Sequence, residues 1–436
     1  EYYVVLSEHF DQSENYEKGA KYSRLTAKKS EKTASLGDAI VFAAKCIECL
    51  ERLPRTDTVI EDLIDARTTL GLYMSQMGYF VEAKEAVEPI VEFALKRNYK
   101  RRLCQIYIIM GAYKYMGEEN FPEAFANLEK ALEISSEIND VVTHFFANFW
   151  LGFSLSLDCR FAKASHYLQR ALDINLAGNN LWGMSVTKSF VSTLVHCCQG
   201  KINLADETSK EAFEMAEDSG DLLTKAVAYV ARGWSYCSKG YPDKAKEYLL
   251  NGASLCERSN HLGWIFLAQE GLGHARFQSG EYKESIAHYE KAAWLYEQNR
   301  LSPSAVKLNL LGAARARVLN NEKGIDLESL YSFLEETKTR NCEGESRRYM
   351  GEILLNIDDQ HMNEAQDWIE KALEADKKND MMLHLGQDYA CYAELFKRKG
   401  DLSRAKENLA KAVEIYKECG ADGWVEKAEK ELASLS

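Results

Sequence analysis

The stretch Arg404-Ala405-Lys406-Glu407-Asn408-Leu409-Ala410-Lys411-Ala412 decides how this chain is read. Ala405, Leu409 and Ala412 follow at steps of four and three, which puts them on one face of a helix. Glu407 and Lys411, one turn apart, share an exposed face. The small–large–small pattern returns upstream as Ala365-Ile369-Ala372, Ser285-Tyr289-Ala292, Ala245-Leu249-Gly252 and Ala205-Ser209-Ala212. Before those stand Ala164-Leu168-Ala171, Ala124-Leu128-Ala131 and Ala83-Val87-Ile90. First members are 40 or 41 residues apart, except for one step of 80 that leaves a degenerate unit near Ile325. Ahead of most anchors stands a second small residue, as in Leu70-Gly71, Leu151-Gly152, Arg232-Gly233 and Leu272-Gly273. With small shifts, Met110-Gly111, Leu311-Gly312 and Met350-Gly351 join them. Glycine or alanine where two helices touch lets their backbones approach, and the large residue fills the space beside them. Each unit therefore reads as helix, turn, helix. Gly78-Tyr79, Gly240-Tyr241-Pro242-Asp243, Gly280-Glu281-Tyr282 and Gly400-Asp401 mark the turns. In the last three, glycine just past a helix end takes the positive φ needed there, and Asp243 and Asp401 are read as N-caps.

The rest of the composition agrees. Only five of 436 residues are proline, and no proline-, glycine- or polar-rich linker is visible. Pro122 and Pro242 fall at turns, Pro303 at a unit boundary and Pro54 at the close of the N-terminal segment. Pro89 alone falls inside a second helix, which it should kink. A net charge of −13 disfavours nucleic acid, which requires a basic face. The basic run Lys96-Arg97-Asn98-Tyr99-Lys100-Arg101-Arg102 reads as a solvated helix end. No apolar run reaches the ~20 residues of a membrane span, and no signal peptide is seen. Glu1 stands where a methionine would, so the chain is read as the C-terminal part of something longer. Cys46 and Cys49, like Cys197 and Cys198, read as core thiols, and eleven scattered cysteines imply a reducing cytoplasm.

A search for chemistry is negative. Gly271-Leu272-Gly273-His274-Ala275-Arg276 begins like a dinucleotide-binding loop but ends in arginine, and the repeat register explains both glycines. Gly200-Lys201 is followed by isoleucine, so there is no phosphate-binding loop. The nine histidines lack ligand spacing, and no metal or cofactor is expected. The reading is non-enzymatic.

The small, small, large, small spacing with Gly-aromatic and Gly-Asp turns resembles the tetratricopeptide repeat (TPR), whose usual period is about 34. A period of 40 means that each helix gains most of a turn. The resemblance implies an all-α, right-handed TPR-like superhelical solenoid of about ten helix-turn-helix repeats. Residues 1–54 form degenerate N-terminal repeats, with Tyr16, Gly19 and Ala27 in one and Ala39 opening another second helix. Residues 55–421 form the array, with a degenerate repeat at 301–340, and residues 422–436 a C-terminal capping helix. The tryptophan usual early in the repeat is replaced, as by Tyr107, Tyr229 and Tyr389.

The resemblance further implies a concave surface lined by two positions of each first helix. On this chain these give Phe149 and Phe153, Phe190 and Leu194, Val230 and Trp234, Glu270 and His274, Asn309, Arg348 and Glu352. Phe149, Phe153, Phe190, Trp234, Glu270, His274, Asn309 and Arg348 are the candidate binding residues. The same rings are also read as packing core in a tightly closed coil, above all Phe149 and Phe190. Aromatics come first along the chain and polar groups follow, which suits a peptide or helix with one apolar and one charged side. The lysine and asparagine pattern that clamps a C-terminal carboxylate in chaperone-binding relatives is not present.

The two ends carry a narrower resemblance. Glu14-Asn15-Tyr16-Glu17-Lys18-Gly19-Ala20, running into Lys32-Thr33-Ala34 and Gly37-Asp38-Ala39-Ile40, is similar to the repeat tails of large bacterial signalling ATPases, many with an adenylate/guanylate cyclase domain. So is the segment from Arg404 through Ile415-Tyr416 and Cys419-Gly420-Ala421-Asp422-Gly423-Trp424. The expectation is a cytoplasmic interaction scaffold, the regulatory or sensor tail of such a protein, with a protein or peptide partner and neither nucleic acid nor membrane. The alternative is a self-contained peptide-sensing repeat protein with its ligand in the superhelix.

Overall fold

A computed structural model describes residues 2–33 and 35–435. Glu1 and Ala34, both used above, lie outside the described residues. Among the described residues there is helix and no strand. Two compact units are distinguished: residues 1–151 with 257–263, and residues 152–256 with 264–436.

The first unit is built from α1 (Tyr2–Gln12), α2 (Tyr16–Lys32), α3 (Leu36–Glu51), α4 (Asp57–Met77), α5 (Phe80–Val87), α6 (Val91–Lys96), α7 (Lys100–Met116), α8 (Phe121–Glu137) and the start of α9 (Val141–Leu157). Pro89 acts as expected: a 3₁₀ turn, Glu88–Ile90, separates α5 from α6 where the proline lacks an N–H to donate. The basic run spans the end of α6 and the start of α7, and its charges are paired. Arg97 lies 2.6 Å from Asp57, Arg101 2.8 Å from Asp140 and Arg102 2.7 Å from Asp65, and Lys100 meets Glu137. Cys46 and Cys49 are buried thiols of α3.

The second unit continues with α10 (Phe161–Ala177), α11 (Leu181–Phe190), α12 (Ile202–Ser219), α13 (Leu222–Lys239), α14 (Pro242–Ser259), α15 (Leu262–Gln278) and α16 (Tyr282–Gln298). Then come α17 (Pro303–Leu319), α18 (Leu327–Glu336), α19 (Arg340–Ile357), α20 (Met362–Lys378), α21 (Met382–Arg398), α22 (Leu402–Cys419) and α23 (Asp422–Ser434). Seven residues of π-helix, Val191–Cys197, extend α11. Where the spacing signal is lost, the second helix, α18, has only ten residues.

The small–large rule is visible as atoms. The first-helix glycines Gly111, Gly152, Gly233, Gly273 and Gly351 each lie against the large residue of their own second helix: Leu128, Leu168, Leu249, Tyr289 and Ile369. A methyl carbon at any of them would fall 2.5–2.7 Å from that side chain. Such overlap forces the hairpin apart, so the spacing read in the sequence is the packing itself. Asp401 is an N-cap, its side chain accepting from the Arg404 N–H. Asp243 is not: the helix already begins at Pro242, and Asp243 sits in its first turn, 2.9 Å from Lys246. Proline at the first helical position needs no N–H partner, which moves the cap upstream.

Within the second unit the chain meets itself at a fixed separation. Gln199 Nε2 donates to Asp380, 181 residues on, at 3.1 Å. Arg340 lies 3.4 Å from Asp158, and Lys239 lies 3.7 Å from Asp422. Gly240 packs on the Gly423-Trp424 backbone, with room for no side chain. Inside the first unit, Tyr79 Oη donates to the Asn260 carbonyl, again 181 residues on. Within the second unit one coil therefore takes about four and a half 40-residue repeats, and its successive turns are in contact.

Candidate functional site

First-helix residues one unit apart meet across neighbouring helices and form a row. Its early part in the second unit is aromatic. Phe153 is buried and packs edge-on against Phe190 at 5.3 Å, and Phe190 meets Trp264 at 4.8 Å. Phe149 falls in the first unit, buried against Phe145 (5.9 Å) and Trp150 (5.5 Å). Trp234 of α13 is half-buried, and its Nε1 donates to the Leu267 carbonyl at 2.9 Å, which fixes the ring beside His274 at 5.2 Å.

From α15 onward the row is polar. Asn309 Nδ2 of α17 donates to Glu270 of α15 at 3.2 Å. Arg315 of α17 bonds Glu352 of α19 at 3.1 Å, and its guanidinium lies between the rings of Phe277 and Tyr349, 3.6 Å from each. Arg348, 2% exposed, reaches Glu345 at 3.1 Å, Asp388 of α21 at 3.1 Å and Glu352 at 3.6 Å. Tyr349 Oη donates to Glu345 at 2.7 Å and lies 3.3 Å from His274 Nδ1. The structure thus brings Glu270, His274, Asn309 and Arg348 into one cluster, places Phe153, Phe190 and Trp234 in the same unit, and places Phe149 in the other unit.

Burial sets the protonation states. It pushes the Glu270 carboxyl up to about 7, against the Asn309 bond that favours the anion. Burial also lowers His274 and His384 to about 4, so both are neutral at pH 7. Glu345 is the opposite case. Burial would raise it, but His384, His274, Arg348 and the Tyr349 hydroxyl outweigh that and hold it well below the carboxylate range. Asp376 and Asp388 are fully buried and bonded side chain to side chain, which two carboxylates achieve only by sharing a proton. Burial raises both, Asp388 to about 6 despite Arg348.

Glu345, Asp376, His384, Asp388, Arg315 and Tyr349 are not among the sequence-based candidates. Asp388 stands one 40-residue step beyond Arg348 in the same row. Asp376 occupies the second-helix position that elsewhere holds Ala94, Ser135, Asn175, Ala216, Cys256, Tyr296 and Tyr416. A carboxylate in a core register was the available signal. Among the described residues no cluster of ligating side chains is arranged for a metal ion, and no helix is long and apolar enough to cross a membrane.

No family model matches the chain, and no curated protein matches it. Among solved structures it is similar to a Rap protein complexed with competence and sporulation factor, at 12% identity and a TM-score of 0.39, covering 96% of this chain and 100% of that one. It is also similar to yeast Tom70, at 12% identity and a TM-score of 0.35, covering 99% and 96%. A third is a signal transduction ATPase with numerous domains, carrying a tetratricopeptide repeat sensor, from Pyrococcus horikoshii. It has 14% identity and a TM-score of 0.33, and 90% of this chain covers 55% of that one. At these scores the comparisons decide neither ligand nor partner. The class is set by the helices themselves: an all-α, TPR-like solenoid of helix-turn-helix units with a 40-residue period.

Proposed function

We propose that the chain is a non-enzymatic protein-interaction scaffold that takes a peptide segment along the first-helix row of its second unit. In this reading residues 55–421 are the array, 301–340 its worn unit and 422–436 its cap. The observation that carries it is the row's division, over its two first-helix positions, into apolar residues through Trp234 and polar or charged residues from Glu270 to Asp388. A core alone gains nothing from Arg348 and its carboxylates, because an apolar replacement of a buried ion network is neutral or stabilising. Titration of a bound peptide against wild type and Trp234→Ala tests it: binding weakens tenfold or more, or the assignment falls. Nucleotide turnover by the purified chain would overturn the non-enzymatic reading. The narrower context, a regulatory tail of a cytoplasmic signalling ATPase or cyclase, rests on the motifs at the two ends. The coding sequence upstream of Glu1 tests that: an ATPase or cyclase domain supports it, and a start codon in its place removes it.

A further inference from the structure

We propose that the charged half of the row receives a cationic group, a lysine, arginine or amino-terminal ammonium of the peptide, beside Glu270 and Asn309. This rests on the peptide-binding reading above and names the chemistry of that ligand. Five carboxyl groups meet here, from Glu270, Glu345, Glu352, Asp376 and Asp388, against two guanidiniums, Arg315 and Arg348. One proton shared between Asp376 and Asp388, and a second on Glu270 about half of the time at pH 7, still leave three to four ionised acids to two bases. The histidines add no charge at neutral pH.

The second observation is the kind of polar atom left over. Apart from the proton that Asp376 and Asp388 share, no donor among the described residues reaches Asn309 Oδ1, Asp388 Oδ2 or either oxygen of Asp376, on side chains 0–1% exposed. All of them accept. Arg315 Nε, Ser346 Oγ and His384 Nδ1 are without a partner as well, but the guanidinium is already stacked between two rings, and a hydroxyl or a neutral imidazole can accept as well as donate. An unpartnered buried acceptor costs about 1–3 kcal/mol, an anionic ligand would leave that cost in place, and a neutral donor would leave the excess of carboxylates unbalanced. A cation brings donors and charge together, and charge-assisted bonds to carboxylates are about twice as strong as neutral ones. The approach is suitable too: Glu270, His274 and Trp234 are each half-buried.

Panning a random decapeptide phage library on the full chain tests this, in parallel with a Glu270→Gln/Asp388→Asn variant whose helicity is verified by circular dichroism. The expected result is at least threefold enrichment of lysine or arginine at one peptide position on wild type, lost on the variant. Equal enrichment on both overturns the proposal, because a chain of net charge −13 collects basic peptides on its exterior anyway. Enrichment of neutral or acidic residues overturns it while leaving the peptide reading intact. A pool whose binding is indifferent to Trp234→Ala, or no retained pool, removes both. If the double variant does not fold, Glu270→Gln alone must weaken a selected basic peptide at least tenfold and leave its alanine-substituted version unchanged.

Discussion

The helices α11–α13 and the helices α15–α21 share one unit, one period and one packing rule, yet their first-helix rows differ in chemistry. Phe190 and Val230 stand in one, and Glu270, Asn309, Arg348 and Asp388 in the other, at the same register. Backbone geometry fixes where a side chain stands. The residue at that place decides whether the row is held by shape or by charge. An apolar row loses stability when volume is removed, at any pH. A charged row loses it when one partner is removed, and the loss follows the protonation of the partners left behind.

That difference gives the largest test. Arg348→Met leaves Glu345, Asp388 and Glu352 without their guanidinium, at an expected loss of about 3–5 kcal/mol near pH 7.5 in denaturant unfolding. Phe153→Ala should lose a similar amount, about 3–5 kcal/mol. The two separate with pH. Without the arginine the buried carboxyls are raised above their unfolded values, so their unfavourable contribution is absent at low pH and grows as pH rises. The Arg348→Met loss should therefore shrink by half or more at pH 5, and the Phe153→Ala loss should not. Equal pH dependence would break the comparison.

Coil closure comes next in size. Gly240 has φ +87°, and a methyl carbon there would lie 2.6 Å from the Trp424 nitrogen, whereas Gly400 has φ +77° and open space around it. Gly400→Ala should cost about 1 kcal/mol, the strain of a left-handed alanine. Gly240→Ala should cost about 2–4 kcal/mol, the same strain plus displacement of backbone one coil away. Matching losses in thermal unfolding would show that the contact between turns contributes nothing.

Glu270 sharpens the account of the charged row. Besides Asn309 it is faced by Glu345 of α19, Tyr289 and Tyr296 of α16 and Cys198, none of them cationic. Its folded value, about 7, lies above the ordinary 4.5. The stability linked to its protonated form is therefore complete below pH 4.5 and lost as pH rises through 7. Glu270→Gln keeps the Asn309 bond without the titration. It should match wild type near pH 4.5 and exceed it above pH 7 by up to about 3 kcal/mol, at 1.36 per pKa unit. A constant difference across that range contradicts the assignment.

The hairpins were legible because a glycine that must admit a leucine, and a leucine sixteen or seventeen residues later, are both written in one chain. Most of the row was legible for the same reason, from Phe153 to Arg348. The acidic partners were not. Asp376 reaches its place from a second helix, over Gly344, where its carboxylate fits only because no side chain intervenes. Glu345 shows its role only through Tyr349 and Arg348. The contacts 181 residues apart were beyond sequence reading, since they depend on small rotations summed over several units. Asp243 failed as a cap because Pro242 had already started the helix.

Fluorine NMR of the 5-fluorotryptophan-labelled chain, its seven resonances assigned by Trp→Phe substitution, tests the central claim most directly. On addition of a peptide selected from the library, Trp234 and Trp264, which packs on Phe190 of the row, should shift. Trp294, 56% exposed on α16, should not. A shift of Trp294 with Trp234 unmoved would place the ligand on the outer face and contradict the assignment of the row.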